Sequence, residues 1–356
     1  MAKRLHYSEQ PEIREKKAKN LLWVGIISIV MMFAGFTSAY IVLASDTFWV
    51  KLRMPDAFIW SIVTAVAGSG TLYLALRMVK ANKQGPFKAL VLATLVLGSA
   101  FGYLQYQGWG DLFQRGNALV GNLSSEGRYG LNYTIAMNGA PLVFDGERFY
   151  TNDQALDENQ TERLKEFAAL VADAPLKTDE NFYDVGGYPE FVIRFKDKPL
   201  ELKEGKFYMI FQDQSRAITY DQRIHLQRFA RNIRDGRGDF VMMGKYGVDY
   251  TILYKGVPLS YENRKLFKPD GSELSKVEYA LLFKSRNTAS SFIYILTGLH
   301  LLHFIGGMIY LISISFGAMR GKFGPSNHLK VKLAGMYWHF LAGLWIYLFI
   351  FLTFIH

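Results

Sequence analysis

Ser291-Phe-Ile-Tyr-Ile-Leu-Thr-Gly-Leu-His300-Leu-Leu-His303-Phe-Ile-Gly-Gly-Met-Ile-Tyr-Leu-Ile-Ser-Ile-Ser-Phe316 runs for 26 residues without an Asp, Glu, Lys or Arg. Roughly 20 apolar residues in a helix cover the hydrocarbon core of a bilayer, so this stretch reads as a membrane span. Working outward from it, four more stretches qualify: Leu21–Ala44, Ala57–Leu76, Phe87–Gln105 and Leu333–Ile355. Half of the 356 residues are hydrophobic and 15% are aromatic, and the apolar ones are gathered into these blocks. The first block is too long for a removable signal peptide and lacks its small-residue cleavage site, which predicts a retained helix. The expected fold class is therefore an all-α transmembrane bundle of five helices, plus an inserted soluble α+β domain with duplicated β-hairpins. Its expected parts are a basic N-terminus (1–20), helices 1–3 (21–109), the insert (110–286) and helices 4–5 (287–356).

Lysine and arginine in short loops stay on the cytoplasmic side, because translocating them is costly. Six precede the first span (Lys3, Arg4, Arg14, Lys16, Lys17, Lys19). Four lie between the second and third (Arg77, Lys80, Lys83, Lys88), and four between the fourth and fifth (Arg320, Lys322, Lys330, Lys332). The turn after the first span has Lys51 and Arg53 balanced by Asp46 and Asp56. This pattern predicts a cytoplasmic N-terminus, with the insert and the C-terminal His356 outside. The formal charge is +10, yet the insert has 25 basic and 26 acidic residues, so the excess belongs to the membrane part. That distribution suits an anionic inner leaflet and argues against nucleic acid. Cysteine is absent, which removes disulfides and thiolate metal sites.

Within the insert, Gly127-Arg-Tyr-Gly-Leu-Asn-Tyr-Thr-Ile-Ala-Met-Asn-Gly-Ala-Pro-Leu142 recurs as Gly244-Lys-Tyr-Gly-Val-Asp-Tyr-Thr-Ile-Leu-Tyr-Lys-Gly-Val-Pro-Leu259, with nine of sixteen positions identical. Each copy alternates apolar residues up to Asn138-Gly139 or Lys255-Gly256 and then resumes, the pattern of a tight-turned hairpin. Phe191-Val-Ile-Arg-Phe195, Pro199-Leu200 and Phe207-Tyr208 make a fainter third unit. Two helices are predicted between the hairpins. One runs over Thr161–Ala172 with Leu164, Phe167, Ala168 and Val171 on one face, stopped by Pro175. The other places Leu226, Phe229, Ala230 and Ile233 on one face and Arg223, Arg228, Arg231 and Arg234 opposite. The arginines read either as a solvated face or as a dock for an acidic partner or anionic lipid headgroups. The insert's one histidine, His225, reads as a surface residue, and no catalytic constellation is visible.

Ionisable groups inside a bilayer are costly and so mark function. Apart from Lys88, counted above with its turn, the spans contain no acidic residue, lysine or arginine. That disfavours a proton- or sodium-coupled carrier. Their histidines are His300, His303 and His339. With Thr297 and Gly307 the first two form one small-and-polar stripe at three-to-four residue spacing, of the kind that packs against another helix, where the histidines hydrogen-bond between helices or to lipid headgroups. Metal or haem ligation is the other reading, against which no carboxylate or thiolate stands nearby to complete a site.

Thr297-Gly298-Leu-His300-Leu-Leu-His303-Phe-Ile-Gly306-Gly307 resembles the TGxHxxHxxxG signature of subunit III of haem-copper terminal oxidases, the cytochrome c oxidase subunit III family. Trp338-His339-Phe340 with Trp345 is similar to that family's closing WHF helix. Phe33-Ala-Gly35-Phe with Ala39-Tyr40, Gly68-Ser-Gly-Thr71, and Leu104-Gln105 before Trp109 resemble its FxGxxxAY, SSxT and LQxxEY segments. The likeness covers nearly all of the membrane part and none of residues 110–286. Bacterial members often have five helices instead of seven, which agrees with the orientation read from charge. Three family carboxylates are missing, since Ile29, Gly108 and Ala342 stand at their positions.

The resemblance implies a non-catalytic subunit beside the core subunit I and other oxidase subunits, in the bacterial inner membrane. It also implies bound phospholipid, with haem and copper held by the partners. The residues agree on the last point, because two haems and a copper require six imidazoles and a dinuclear copper site requires cysteines. For the insert, the expected partner is an electron donor, a cytochrome c or a quinol-oxidising complex. The competing class is a non-oxidase carrier or a ligand-binding sensor with an outward domain. The missing intramembrane charges disfavour the carrier, and the short cytoplasmic segments disfavour the sensor.

Overall fold

The computed structural model describes residues 11–124, 132–144, 148–176, 182–211, 214–262 and 264–355. Lys3, Arg4, His356 and the Gly127-to-Leu131 start of the first repeat lie outside them. The chain divides into two compact units. One comprises the chain up to Leu43, Met54–Leu112 and Phe292 onward, and the other Ala44–Arg53 and Phe113–Ser291.

The five predicted spans are helices: α1 (Pro11–Ala44), α2 (Asp56–Lys80), α3 (Gln84–Gln114), α7 (Thr288–Met319) and α8 (Leu329–Ile350). The last continues into a π turn at Phe351–Ile355. Each is long and apolar enough to cross a membrane. Their buried residues form narrow seams at alternating three- and four-residue steps. In α2 the seam is Phe58, Ser61, Ala65, Gly68, Leu72, Ala75 and Val79. In α3 it is Phe87, Val91, Thr94, Gly98, Phe101, Gln105, Gly108 and Leu112. Such seams carry the interhelical packing, and the remaining apolar faces point outward as a lipid-facing surface requires.

The insert is an α+β unit, and the faint middle hairpin proves as real as the other two. Strands Tyr133–Met137, Phe191–Phe195 and Tyr250–Tyr254 each enter a two-residue turn, at Asn138-Gly139, Lys196-Asp197 and Lys255-Gly256. Both turn residues have positive φ in all three copies: 50° and 85°, 50° and 64°, 52° and 76°. That is the type I′ geometry whose twist matches the flanking strands. The register agrees too, because the penultimate strand residue faces the following proline each time: Ala136 with Pro141, Arg194 with Pro199, Leu253 with Pro258.

The likeness extends beyond the hairpins. Leu156, Ile218 and Leu274 each donate a backbone hydrogen bond, at 2.8–3.0 Å, to the carbonyls of Phe149, Phe207 and Leu266. Each copy then enters a helix through a capping box: Asp157 with Gln160, Thr219 with Gln222, Ser275 with Glu278. The reciprocal side-chain bonds satisfy amides that a helix start leaves open. The helices are α4 (Glu158–Ala172), α5 (Tyr220–Arg234) and α6 (Lys276–Lys284). At the third cap, hydrogen bonds from Lys268 and then from Ser275 hold the Glu278 carboxyl down at about 2. The insert is thus a threefold repeat of hairpins followed by a capped helix. The eight apolar residues predicted for α4 and α5 are all buried in its core.

The first two repeats pair as a pseudo-twofold couple. Tyr133–Met137 and Phe191–Phe195 run antiparallel with Ile135 opposite Ile193, so corresponding residues meet about one centre. Helices α4 and α5 pack together as well. The third repeat has no fourth to complete such a couple. Its strand instead pairs antiparallel with Phe48–Leu52, from the short loop between α1 and α2, and Ile252 faces Val50 as Ile135 faces Ile193. Phe48, Trp49, Val50 and Leu52 are buried there, with the Phe48 ring stacked 4.4 Å from that of Tyr254. The predicted turn between the first two spans is in fact a strand of the insert.

Arg53 N–H donates to the Asp249 carbonyl at 2.8 Å and Lys255 N–H to that of Thr47 at 3.2 Å. By antiparallel alternation, Lys51 with Thr251 is therefore a hydrogen-bonded pair. The Lys51 side chain is exposed. Lys51→Pro should weaken this pairing by about 1–3 kcal/mol through the lost ladder donor and the Thr251 carbonyl it leaves unpaired, while Lys51→Ala stays near wild type. Amide exchange should show protection lost over 250–254 and kept over 133–137 and 191–195. Equal behaviour of the two variants would contradict the assignment of this strand.

Candidate functional site in the helical bundle

The family-motif residues of α7 and α8 gather around a polar hub that none of the motifs contains. Ser61 of α2, fully buried, donates its hydroxyl to the Phe58 carbonyl at 2.7 Å. It accepts from Gln105 Nε2 of α3 at 3.0 Å and from Trp345 Nε1 of α8 at 2.8 Å. One donor and two acceptor positions are all a hydroxyl has, so it is saturated. Three helices are thereby tied at one oxygen, in surroundings where a lost partner cannot be replaced by water.

Around the hub the motif side chains interlock. His300 is buried, its Nε2 lies 3.1 Å from the Leu341 carbonyl of α8, and its ring sits 5.1 Å from Trp345. Phe101 of α3 meets both rings, at 5.8 and 5.7 Å. Thr297 accepts from Trp109 Nε1 at 3.0 Å, and the indole also lies over Gly298. Trp338 packs into the seams at Gly68 and Gly98. A Cβ at Gly98 would stand 2.6 Å from the Met308 sulfur and 3.0 Å from the Trp338 ring, so this crossing requires glycine. His339 Nδ1 pairs with the Ser69 hydroxyl of α2. His303 Nδ1 donates to the Leu299 carbonyl one turn back at 2.7 Å, while its ring faces Phe33 of α1.

Two predicted residues lie outside this core. Gly306 faces outward with nothing within 4 Å, the tight contact falling to neighbouring Gly307 against Tyr337 and Leu341. Phe340 is half-buried beside Tyr337. Helix α1 joins through Thr37, which accepts from Tyr347 at 3.1 Å, and through buried Tyr40 between Phe292 and Phe351. The three membrane histidines thus lie on separate contacts. Among the described residues, no three of His, Cys, Asp or Glu gather as metal ligands.

Two of the missing family carboxylates have a steric explanation. At Gly108 a Cβ would lie 2.2 Å from the Phe58 ring, which fills the space of a side chain. Ala342 lines a cavity of about 20 Å³ with His300, Phe304 and Trp338, room for about one water and too little for a carboxyl group. Half-buried Ile29 has no comparable explanation in the structure.

The insert's arginines divide. Arg234 pairs with Asp173 at 2.8 Å and Asp235 at 3.0 Å. Arg223 lies over the Tyr220 ring, its Nε enclosed. Arg228 and Arg231 are exposed. The α5 face therefore presents two outward guanidinium groups, not four.

Ser61→Ala should leave Gln105 Nε2 and Trp345 Nε1 buried without an acceptor, at about 1–3 kcal/mol each. The expected result is a bundle at least 2 kcal/mol less stable in detergent, with Trp345 emission shifted. A variant as stable as wild type would show that the hub does not hold the helices.

Comparison with known proteins gives this geometry its relatives. Residues 274–355 match the family model of cytochrome c oxidase subunit III. The probable cytochrome c oxidase subunit 3 of Rickettsia bellii is 45% identical over 60 residues, 16% of this chain and 22% of that protein. The subunit 3 of Synechocystis is 37% identical over 65 residues, 18% and 28%. That of Corynebacterium diphtheriae is 33% identical over 79 residues, 22% and 38%. The matched stretches span about a fifth to two fifths of these relatives. No solved structure matches the chain. Over its last helices, residues 274–355, the chain is similar to the cytochrome c oxidase subunit III family.

Proposed function

We propose that this chain is a non-catalytic, subunit III-like component of an aerobic respiratory terminal oxidase in a bacterial inner membrane. It braces the core subunit I of a haem-copper complex that reduces oxygen to water and pumps protons. The observation that carries this reading is the use of the motif side chains. Thr297, His300, Trp338, His339 and Trp345 are spent on contacts between helices. The three membrane histidines lie on different contacts, and among the described residues no three of His, Cys, Asp or Glu gather as metal ligands, so they do not converge on a common metal. In this reading haem and copper belong to partner subunits. The outward apolar faces of the five helices suit phospholipid and a neighbouring subunit. The arrangement of lysines and arginines supports a cytoplasmic N-terminus, with the insert and C-terminus periplasmic.

In this reading the insert docks an electron donor, a cytochrome c or a quinol-oxidising complex, and exposed Arg228 and Arg231 offer the charge for it. Purification through a tag on this chain in mild detergent should recover oxidase subunits. Recovery of a stable monomer without them would overturn the accessory role. Removing 118–284 also strands the Phe48–Leu52 segment, so that deletion should replace 46–53 with a short polar turn. The shortened chain should still assemble while donor association weakens, and unchanged donor affinity would overturn the docking role.

A further inference from the structure

We propose that the insert contains a binding site for a small carboxylate with a short apolar tail, in the cavity between α5 and the third repeat, with Asn232 and Arg237 as its donors. The cavity measures about 40 Å³, several times what one water needs. Its walls are largely apolar, with Leu142, Phe149, Leu164, Phe229 and Ile233 among them.

Its polar atoms fall into a satisfied set and an unsatisfied one. Asp239 fills three of its roughly four acceptor positions. It accepts from Tyr261 at 2.6 Å and from Arg264 Nε at 2.9 Å on one oxygen, and from Arg264 Nη2 on the other. Burial, with Asp239 beside it, raises the Tyr261 phenol far above its usual range, so that hydroxyl stays a neutral donor. Arg264 also donates to the Tyr133 carbonyl. These groups cancel one another in charge and in hydrogen bonds.

Asn232 Nδ2 and Arg237 Nε are buried and make no hydrogen bond. Both are donors, so what they lack is an acceptor, and of the two only Arg237 carries a positive charge. The backbone holds the two side by side. Gly236, at φ 67°, ends α5 in the left-handed region, and Arg237 N–H returns to the Asn232 carbonyl at 2.6 Å.

The repeat shows that Asn232 is not a requirement of the helix. The capping boxes align α4 with α5, Asp157 with Thr219, which places Asn232 opposite Leu170. At this position α4 has a leucine 42% exposed, whereas α5 has an asparagine 8% exposed. The usual preference is inverted at the copy that faces the cavity. A buried amide without a partner is costly, and an acceptor bound in the cavity removes that cost.

The test is titration calorimetry on the full chain in detergent with acetate, butyrate and n-butylamine. Butyrate should bind saturably and more tightly than acetate, and n-butylamine should not bind. Arg237→Gln and Asn232→Leu, the latter copying the sister helix, should each weaken butyrate at least tenfold with circular dichroism unchanged. Asn232→Asp places a carboxylate in the cavity from the chain itself, and should abolish butyrate binding without lowering the thermal midpoint. No saturable butyrate binding to wild type, equal binding of n-butylamine, or unchanged affinity in Arg237→Gln and Asn232→Asp would each overturn the proposal.

Discussion

A buried polar group left without a partner is costly, and both halves of this molecule are organised largely by how that cost is avoided. In the bundle the demand for partners converges on Ser61, whose hydroxyl is shared by α2, α3 and α8. In the insert it is met by strand pairing, and the third repeat shows how strictly. Left without a sister repeat, its first strand takes Phe48–Leu52, which precedes it by some two hundred residues. Non-local pairing of this kind costs chain entropy that only good burial offsets. Trp49 and Val50, almost wholly enclosed, supply it.

Much of this was legible in the sequence wherever the signal is local. The spans follow from uninterrupted apolar length, and α4 and α5 from the three-to-four spacing of Leu164, Phe167, Val171 and Leu226, Phe229, Ile233. The first and third hairpins follow from their shared Tyr-Thr-Ile and Gly-x-Pro-Leu. The middle copy is faint because Phe191-Val-Ile and Lys196-Asp197 fill the same backbone positions with other residues. Its left-handed turn is made without glycine, which a reading of turn residues discounts. Capped α6 was not anticipated, although Ser275 and Glu278 spell its capping box.

What was not legible is what depends on distant partners. Phe48-Trp-Val-Lys-Leu52 is five residues between two membrane helices, and nothing local marks it as a strand of another unit. Ser61 is one of several hydroxyls in apolar helices, and only the meeting of Gln105 and Trp345 singles it out. The arginine face of α5 read as four equivalent charges, because Asp173 and Asp235 reach Arg234 only through the fold. Among the motif residues, the stripe of Thr297, His300, His303 and Gly307 marked the glycine that makes the tight contact, while neighbouring Gly306 faces outward.

We propose that this chain braces a redox centre held by other subunits. The most direct measurement is the visible spectrum of the complex purified through this chain, taken before and after the chain is dissociated. The haem bands should remain with the partner subunits and leave this chain colourless. Haem bands that travel with the dissociated chain would contradict the account.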